Sequence, residues 1–307
     1  MKSIMYHYVQ KYNSKQKYAK FLNYKNFEKQ IIYFKKKYTF FDCRNIDNFF
    51  TKNKFEKKIF LTFDDSLKSH YTFVFKILKK YKLNGIFYIP TLPYKNQKIL
   101  NVHKLHLILN HFGEMEPYNK LKKIIENKMI DNKYKFFFKN KIYKNQKNSY
   151  EKNYFKKLLN YYVKNQYKDY LTNKLFKFYF HDINEMKYCK EFYLTEKEIN
   201  EMSKNGMIFG GHTKSHRILS KLTPKEITNE IKISLDFISQ LSPYKTFAYP
   251  YGGFHSFNKH AENTLDKNDV KFSMNVENRD INQSDILLRP QALPRFDCNQ
   301  FPYGKLV

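Results

Sequence analysis

The sequence predicts an α/β fold of parallel strands joined by crossover helices, as a sheet or a barrel. Three observations predict it. Short apolar strands alternate with amphipathic helices along most of the chain. Two capping boxes mark where helices begin. Three segments rich in acidic, histidine or glycine residues each sit where a strand gives way to a loop, the end of the sheet that hosts active sites in parallel α/β proteins.

In chain order, Ile4 to Val9 reads as the first strand. Phe27, Ile31 and Phe34 recur at helical spacing with lysines between them. Lys58 to Phe63 is a β-rich run that ends in two aspartates, Tyr71 to Tyr81 is helical in pattern, and Gly85 to Pro90 is another strand. Thr195-Glu196-Lys197-Glu198 caps a helix that stops near Gly206. Met207 to Phe209 is a strand. Thr223-Pro224-Lys225-Glu226 is a second capping box with Pro at the first helical position. Its helix puts Ile227, Ile231 and Ile238 on one face, and Thr246 to Tyr249 is a further strand.

The rhythm breaks between about Lys95 and Lys190. From Thr91 to Lys190 there are 22 Lys, no Arg and 8 acidic residues. Helical patterns dominate there, at Val102 to Phe112, Tyr118 to Ile130 and Tyr154 to Val163. This stretch is expected to be a helical insertion serving as a cap over an anionic part of a substrate, as a membrane contact, or as a structural appendage.

Composition excludes several classes. At 307 residues and 42% hydrophobic, the chain is long and apolar enough for a sizeable core, not a disordered tail. No apolar run approaches the roughly 18–20 residues of a membrane helix. Cys43, Cys189 and Cys298 are far apart and form no CxxC pair, which argues against a disulfide framework or a thiolate zinc cluster. The net charge of +29 comes with abundant Lys, Tyr and Phe and no Trp. That pattern is the mark of AT-rich codon usage, and anion attraction follows from it as a side effect. No specific nucleic-acid partner is expected, because the insertion's mixture of aromatics and lysines matches the rest of the chain. The N-terminus is too short and too polar to read as a signal peptide, and a cytoplasmic location is expected.

Three segments carry chemistry. Thr62-Phe63-Asp64-Asp65 places two carboxylates at a strand end, where one can bind a metal while the other stays free as a base. Gly210-Gly211-His212-Thr213-Lys214-Ser215-His216 holds two histidines four apart, able to reach one ion if the loop starts a helical turn. In Phe247-Ala248-Tyr249-Pro250-Tyr251-Gly252-Gly253, the turn can present a backbone N–H, such as that of Tyr251, to a developing oxyanion. His255 follows this turn without a motif to give it a role. His103 and His106, three apart on a helix, read as packing or surface residues, as do His70, His111, His181 and His260.

Together the segments resemble the polysaccharide deacetylases, the carbohydrate esterase family that shares the NodB homology domain. That family's pattern runs T-F-D-D-G, then H-[ST]-x-x-H, then R-x-x-P-Y. Here it stands in order as Thr62-Phe63-Asp64-Asp65-Ser66, His212-Thr213-Lys214-Ser215-His216 and Phe247-Ala248-Tyr249-Pro250-Tyr251. The opening Tyr6-His7-Tyr8-Val9 and the closing Leu293-Pro294-Arg295 extend the resemblance over nearly the whole chain outside the insertion. It implies a distorted (β/α)7-type barrel, a single NodB-like domain over 1–307 with a helical insertion at 95–190.

The resemblance also implies roles. Asp65, His212 and His216 look like ligands of one divalent ion; zinc is expected, and cobalt or nickel suit the same set. Asp64 looks like the general base, and the Tyr251 N–H like an oxyanion donor. Ser66 replaces the usual Gly, a mild change if its φ stays negative. Phe247 replaces the Arg of the third motif, and Arg295 is the candidate substitute. The family's C-terminal L-x-x-H acid is not evident, and His7 is the candidate acid. The implied activity is metal-dependent removal of an N-acetyl group from an acetamido sugar. The expected substrate is a nucleotide- or lipid-linked precursor of a lipopolysaccharide or capsule glycan, met in the cytoplasm or at the inner face of an anionic membrane. The alternatives are a deformylase or O-acetyl esterase on the same barrel, or an inactive glycan-binding barrel. Retention of Asp64, Asp65, His212 and His216 argues against the last.

Overall fold

The structure, a computed structural model, describes residues 1–46, 57–143, 146 and 148–307. They form two compact units. One comprises Met1–Lys11, Phe21–Gln97 and Cys189–Val307; the other comprises Tyr12–Lys20 and Lys98–Tyr188.

The first unit is built on a parallel sheet. Its main path runs through β1 (Lys2–Tyr6), β2 (Lys58–Asp64), β3 (Ile86–Ile89), β4 (Ile208–Gly211), β5 (Thr246–Ala248), β6 (Phe272–Met274) and β7 (Phe296–Asp297), and a short eighth strand, Thr39–Phe40, pairs in parallel with β2 off that path. Their order is β7-β1-β2-β3-β4-β5-β6, and every pairing is parallel. Residues 293–297 close the curl. Leu293 bridges Met274, and the Glu277 N–H donates to the Arg295 carbonyl at 3.1 Å. Two residues on, β7 pairs with β1 through Ile4 and Met5. One stretch of chain therefore hydrogen-bonds to both edges, giving the distorted seven-stranded barrel that the resemblance implies.

Alternation along the strands divides the core. Phe60, Ile86, Tyr88, Ile208, Phe272 and Met274 share one cluster on the inner face of the curl. The intervening Leu61, Phe63, Phe87, Ile89 and Phe209 face outward and pack on helix residues such as Phe27, Ile31, Leu78 and Met202. Both anticipated capping boxes form. Thr195 opens Glu196–Lys204, and Thr223 opens Pro224–Ile238 with Pro224 in the first turn.

Several boundaries differ from expectation. The first strand stops at Tyr6 instead of Val9, and Val9–Gln10 pairs separately with Leu22–Asn23. The helix expected over Tyr71 to Tyr81 begins as a wide π-type turn, His70–Phe75, before tightening over Lys76–Lys80.

The second unit is helical. Its helices include Asn101–Phe112, Met115–Ile124, Tyr150–Lys157 and Asn165–Tyr179. Two expected helices are shorter than predicted. The one expected to reach Ile130 ends at Ile124, ahead of a separate turn at Asn127–Met129. The one expected over Tyr154 to Val163 changes to a wide turn at Leu158–Tyr162. Asn165–Tyr179 and the contribution of Tyr12–Lys20 were not anticipated; the latter carries only a three-residue turn, too short to leave a periodic signal. Within this unit Lys104 is buried and pairs with Glu185 at 2.7 Å and Asn173 at 2.7 Å, as a buried ammonium must.

Candidate metal centre and its carboxylate pair

β2 delivers Asp64 to the inner face at the C-terminal end of the barrel. The chain then breaks from strand geometry, with Asp65 at φ +80° and Ser66 at φ +50°. Two consecutive left-handed residues let both carboxylates serve the same side, which continued alternation would forbid. The change from Gly to Ser66 would be mild with a negative φ, and the φ here is positive. The left-handed turn explains why relatives place Gly there; a side chain at that φ costs on the order of 1 kcal/mol.

Asp64 is buried and gripped by Arg295. Arg295 Nη1 donates to Asp64 Oδ1 at 2.7 Å and Nη2 donates to Oδ2 at 2.8 Å. Nη1 also donates to Thr62 Oγ1 at 3.1 Å, and the Thr62 hydroxyl donates to the Ile4 carbonyl at 3.0 Å. Arg295 itself is fully buried. Burial alone would raise the Asp64 pKa. The Arg295 guanidinium, His212 and His7 together outweigh it and hold the carboxyl below its ordinary value. Phe247, at the family's Arg position, instead lies in the outer cluster with Ile227, Ile231 and Leu235, where an Arg could not reach Asp64.

Asp65 Oδ1 lies 3.5 Å from His212 Nε2 and 3.3 Å from His216 Nε2. One ligand atom from each of the three residues falls within 4.8 Å of the others, and all three residues are buried. His212 Nδ1 is 2.7 Å from the Ala248 carbonyl. A carbonyl only accepts, so Nδ1 carries the hydrogen, which leaves Nε2, the nitrogen nearer Asp65, as the atom that would ligate a metal. The donor set fits a divalent ion with open positions.

From spacing alone the two histidines could reach one ion if the loop started a helical turn. Instead they meet through a loop with Thr213 at φ +63° and His216 at φ +56°. The His216 N–H donates to Thr213 Oγ1, and the His212 N–H to Ser234 Oγ. Glu230 braces the loop from the helix Pro224–Ile238. Its carbonyl accepts from the Lys214 N–H, and its carboxylate accepts from the Ser215 N–H and hydroxyl. Sequence reasoning missed Glu230 and Ser234. The signal was a carboxylate one residue before Ile231 on an otherwise apolar stripe.

Tyr251, Gly252 and Gly253 all have positive φ, at +66°, +55° and +74°. The Tyr251 ring lies 5.1 Å from that of His216. A Cβ on Gly252 would come within 2.2 Å of Val276, so only Gly fits. His7, one residue past β1, is partly exposed and puts Nε2 3.9 Å from Asp64 Oδ2 and 4.0 Å from Asp65 Oδ2. All seven residues singled out from the sequence therefore gather at this end of the barrel.

Removing Arg295 should be costly. Arg295→Ala leaves the buried Asp64 charge without its counter-ion, a loss of about 3–5 kcal/mol in chemical denaturation. Arg295→Lys should recover only part, since an ammonium cannot make the two parallel bonds. Wild-type stability in Arg295→Ala would refute this account of the pair.

Comparison with known proteins gives a consistent picture. A family model described as Polysaccharide deacetylase matches residues 161–273, a span that holds the histidine loop and the Tyr251 turn but not Asp64 and Asp65. No curated protein matches. Among solved structures, the deacetylase PplD from Streptococcus pyogenes, determined in complex with acetate, aligns with a TM-score of 0.61 at 16% identity, covering 99% of this chain and 95% of that one. IcaB from Ammonifex degensii aligns with a TM-score of 0.55 at 13% identity, over 96% and 90%. A de-N-acetylase from Aggregatibacter actinomycetemcomitans aligns with a TM-score of 0.52 at 12% identity, over 96% and 93%. At these identities the likeness establishes the fold. The family match over 161–273 and the shared fold together make the chain similar to the polysaccharide deacetylases.

Proposed function

We propose that the protein is a metal-dependent hydrolase that removes an N-acetyl group from an acetamido sugar in a surface-glycan precursor of the lipopolysaccharide or capsule type. The observation that carries this reading is the adjacency of two acidic groups with different partners: Asp65 with two imidazoles, Asp64 with a guanidinium.

Asp65, His212 and His216 would hold one divalent ion, for which zinc is the first candidate. When bound, that ion supplies Lewis acidity, polarising the amide carbonyl and easing deprotonation of water. Asp64, kept ionised by Arg295, accepts a proton from the attacking water as the new C–O bond forms. The Tyr251 N–H is our candidate donor to the oxyanion. His7 donates a proton to the departing nitrogen as the C–N bond breaks, giving acetate and a free amine.

The test is metal analysis of the purified protein, followed by an assay for acetate released from acetamido sugars. Acetate release that tracks metal content supports the reading. Release of formate, or hydrolysis of O-acetyl esters alone, would overturn the N-deacetylase assignment.

We extend the proposal to the carrier. A lipid- or nucleotide-linked substrate at an anionic surface suits the second unit. The short helix Asn132–Phe138 leaves Phe136 86% exposed and Phe137 42% exposed. Lys133, Lys135, Lys139 and Lys141 surround them, with no acidic residue from 132 to 143. Apolar side chains ringed by lysines suit an anionic interface. Changing Lys133, Lys135 and Lys139 to Glu should weaken binding to anionic vesicles by about 1 kcal/mol per lysine removed. Unchanged vesicle binding and unchanged salt response would leave this unit a structural role only. A cytoplasmic location at the inner face of the membrane belongs to the same reading, and cell fractionation tests it.

A further inference from the structure

His70 is a histidine that the sequence leaves to packing and that the reading above does not use. It is fully buried, and its Nε2 lies 2.8 Å from the carbonyl oxygen of His7. Because a carbonyl only accepts, Nε2 must carry the hydrogen. Burial pushes the imidazole pKa down to about 4, so the ring is neutral and makes this bond as a single-donor tautomer.

Backbone geometry explains why His7 needs a side-chain partner. The β1–β2 ladder ends at the pair Tyr6 and Phe63. Beyond it the second strand turns away through the left-handed Asp65 and Ser66. A side chain then bonds the His7 carbonyl where the ladder has stopped.

The ring is fixed in place. Its centroid lies 5.7 Å from that of Phe63 and 5.8 Å from that of Phe87, both edge-on, and those two rings stack on each other at 4.7 Å. His70 also opens the π-type turn His70–Phe75, a distortion that recurs at functional sites. The residue it holds is the one whose imidazole stands about 4 Å from both aspartates.

We propose that His70 is a positioning residue: its Nε2–H fixes the backbone of His7 and so aims the His7 imidazole at the Asp64–Asp65 pair. The catalytic meaning of that aim rests on the proposed function; the contact itself does not. A purely packing role would need the ring's volume and not its donor.

The test compares His70→Leu, which fills the space without a donor, with His70→Gln, which keeps an N–H. Substrates are N-acetylglucosamine oligomers, with the metal-loaded protein. His70→Leu should lower kcat by about 10- to 100-fold with KM little changed, the scale of a small misplacement in a catalytic group. His70→Gln should recover most of it. In a His7→Ala background, His70→Leu should cost no more than about twofold, because the residue it positions is gone. NMR of the His7 ring gives a readout that needs no turnover. Its resonances should shift in His70→Leu and return in His70→Gln. If His70→Leu fails to fold, His70→Asn, whose amide is too short to reach, takes its place. An unmoved His7 signal, or an equal kcat loss with and without His7, would overturn the proposal. If the wild type releases no acetate, the functional reading is what has failed on this panel, and the NMR comparison still decides the role of His70.

Discussion

Replacing His212 by Ala is expected to strip the protein of its divalent ion and of nearly all deacetylation. The substitution removes one of three side chains whose ligand atoms converge within 4.8 Å. Two protein side chains of the set remain, Asp65 and His216. An imidazole whose tautomer is set by the Ala248 carbonyl is a preorganised ligand, and water is a poor replacement for it. The barrel should survive, because the His212 N–H keeps its bonds to Ser234 and the Ile89 carbonyl. The measurement is metal content by elemental analysis after dialysis, alongside circular dichroism and acetate release. Stoichiometric metal retained in a folded His212→Ala protein would sink the ligand assignment.

The parts of this architecture that could be read from the sequence are those written over short distances. Strand–helix alternation and the boxes at Thr195 and Thr223 are local patterns, and the elements form where those patterns begin. Asp64-Asp65 and His212 to His216 are local too, so the chemistry was visible before the geometry. What was hidden depends on contacts far apart in sequence or on backbone angles. Arg295 and Asp64 are 231 residues apart, and only closure of the barrel by residues 293–297 brings them together. Resemblance named Arg295 as a candidate, but periodicity could not. The left-handed turns at Asp65, Ser66, Thr213 and His216 leave no mark in residue type, since none is Gly. Glu230 and His70 read as ordinary polar positions because each acts through a backbone group of another loop. Phe247 fell at a motif position, yet strand alternation turns it outward, so the motif's cation had to come from elsewhere.

Asp64→Asn should keep the metal and lose the reaction. The amide matches the carboxylate in shape but cannot accept a proton from water, and a positioned general base is worth roughly 10²–10⁴-fold in rate. Asp65, His212 and His216 are untouched, so metal content should stay near that of the wild type. Stability will not. Arg295 is fully buried, and Asp64 is the carboxylate that receives its two parallel bonds. An Asn can accept from one Nη but offers an N–H to the other, which leaves a buried guanidinium poorly compensated. A lower melting temperature is therefore expected beside the slower turnover, and the two must be separated. Rates should be measured well below the melting transition and normalised to the metal-loaded, folded fraction. On that basis a loss of 10²-fold or more in kcat assigns the proton transfer to Asp64. Wild-type turnover by the folded variant would mean that Asp64 only anchors Arg295, and that another group takes the proton.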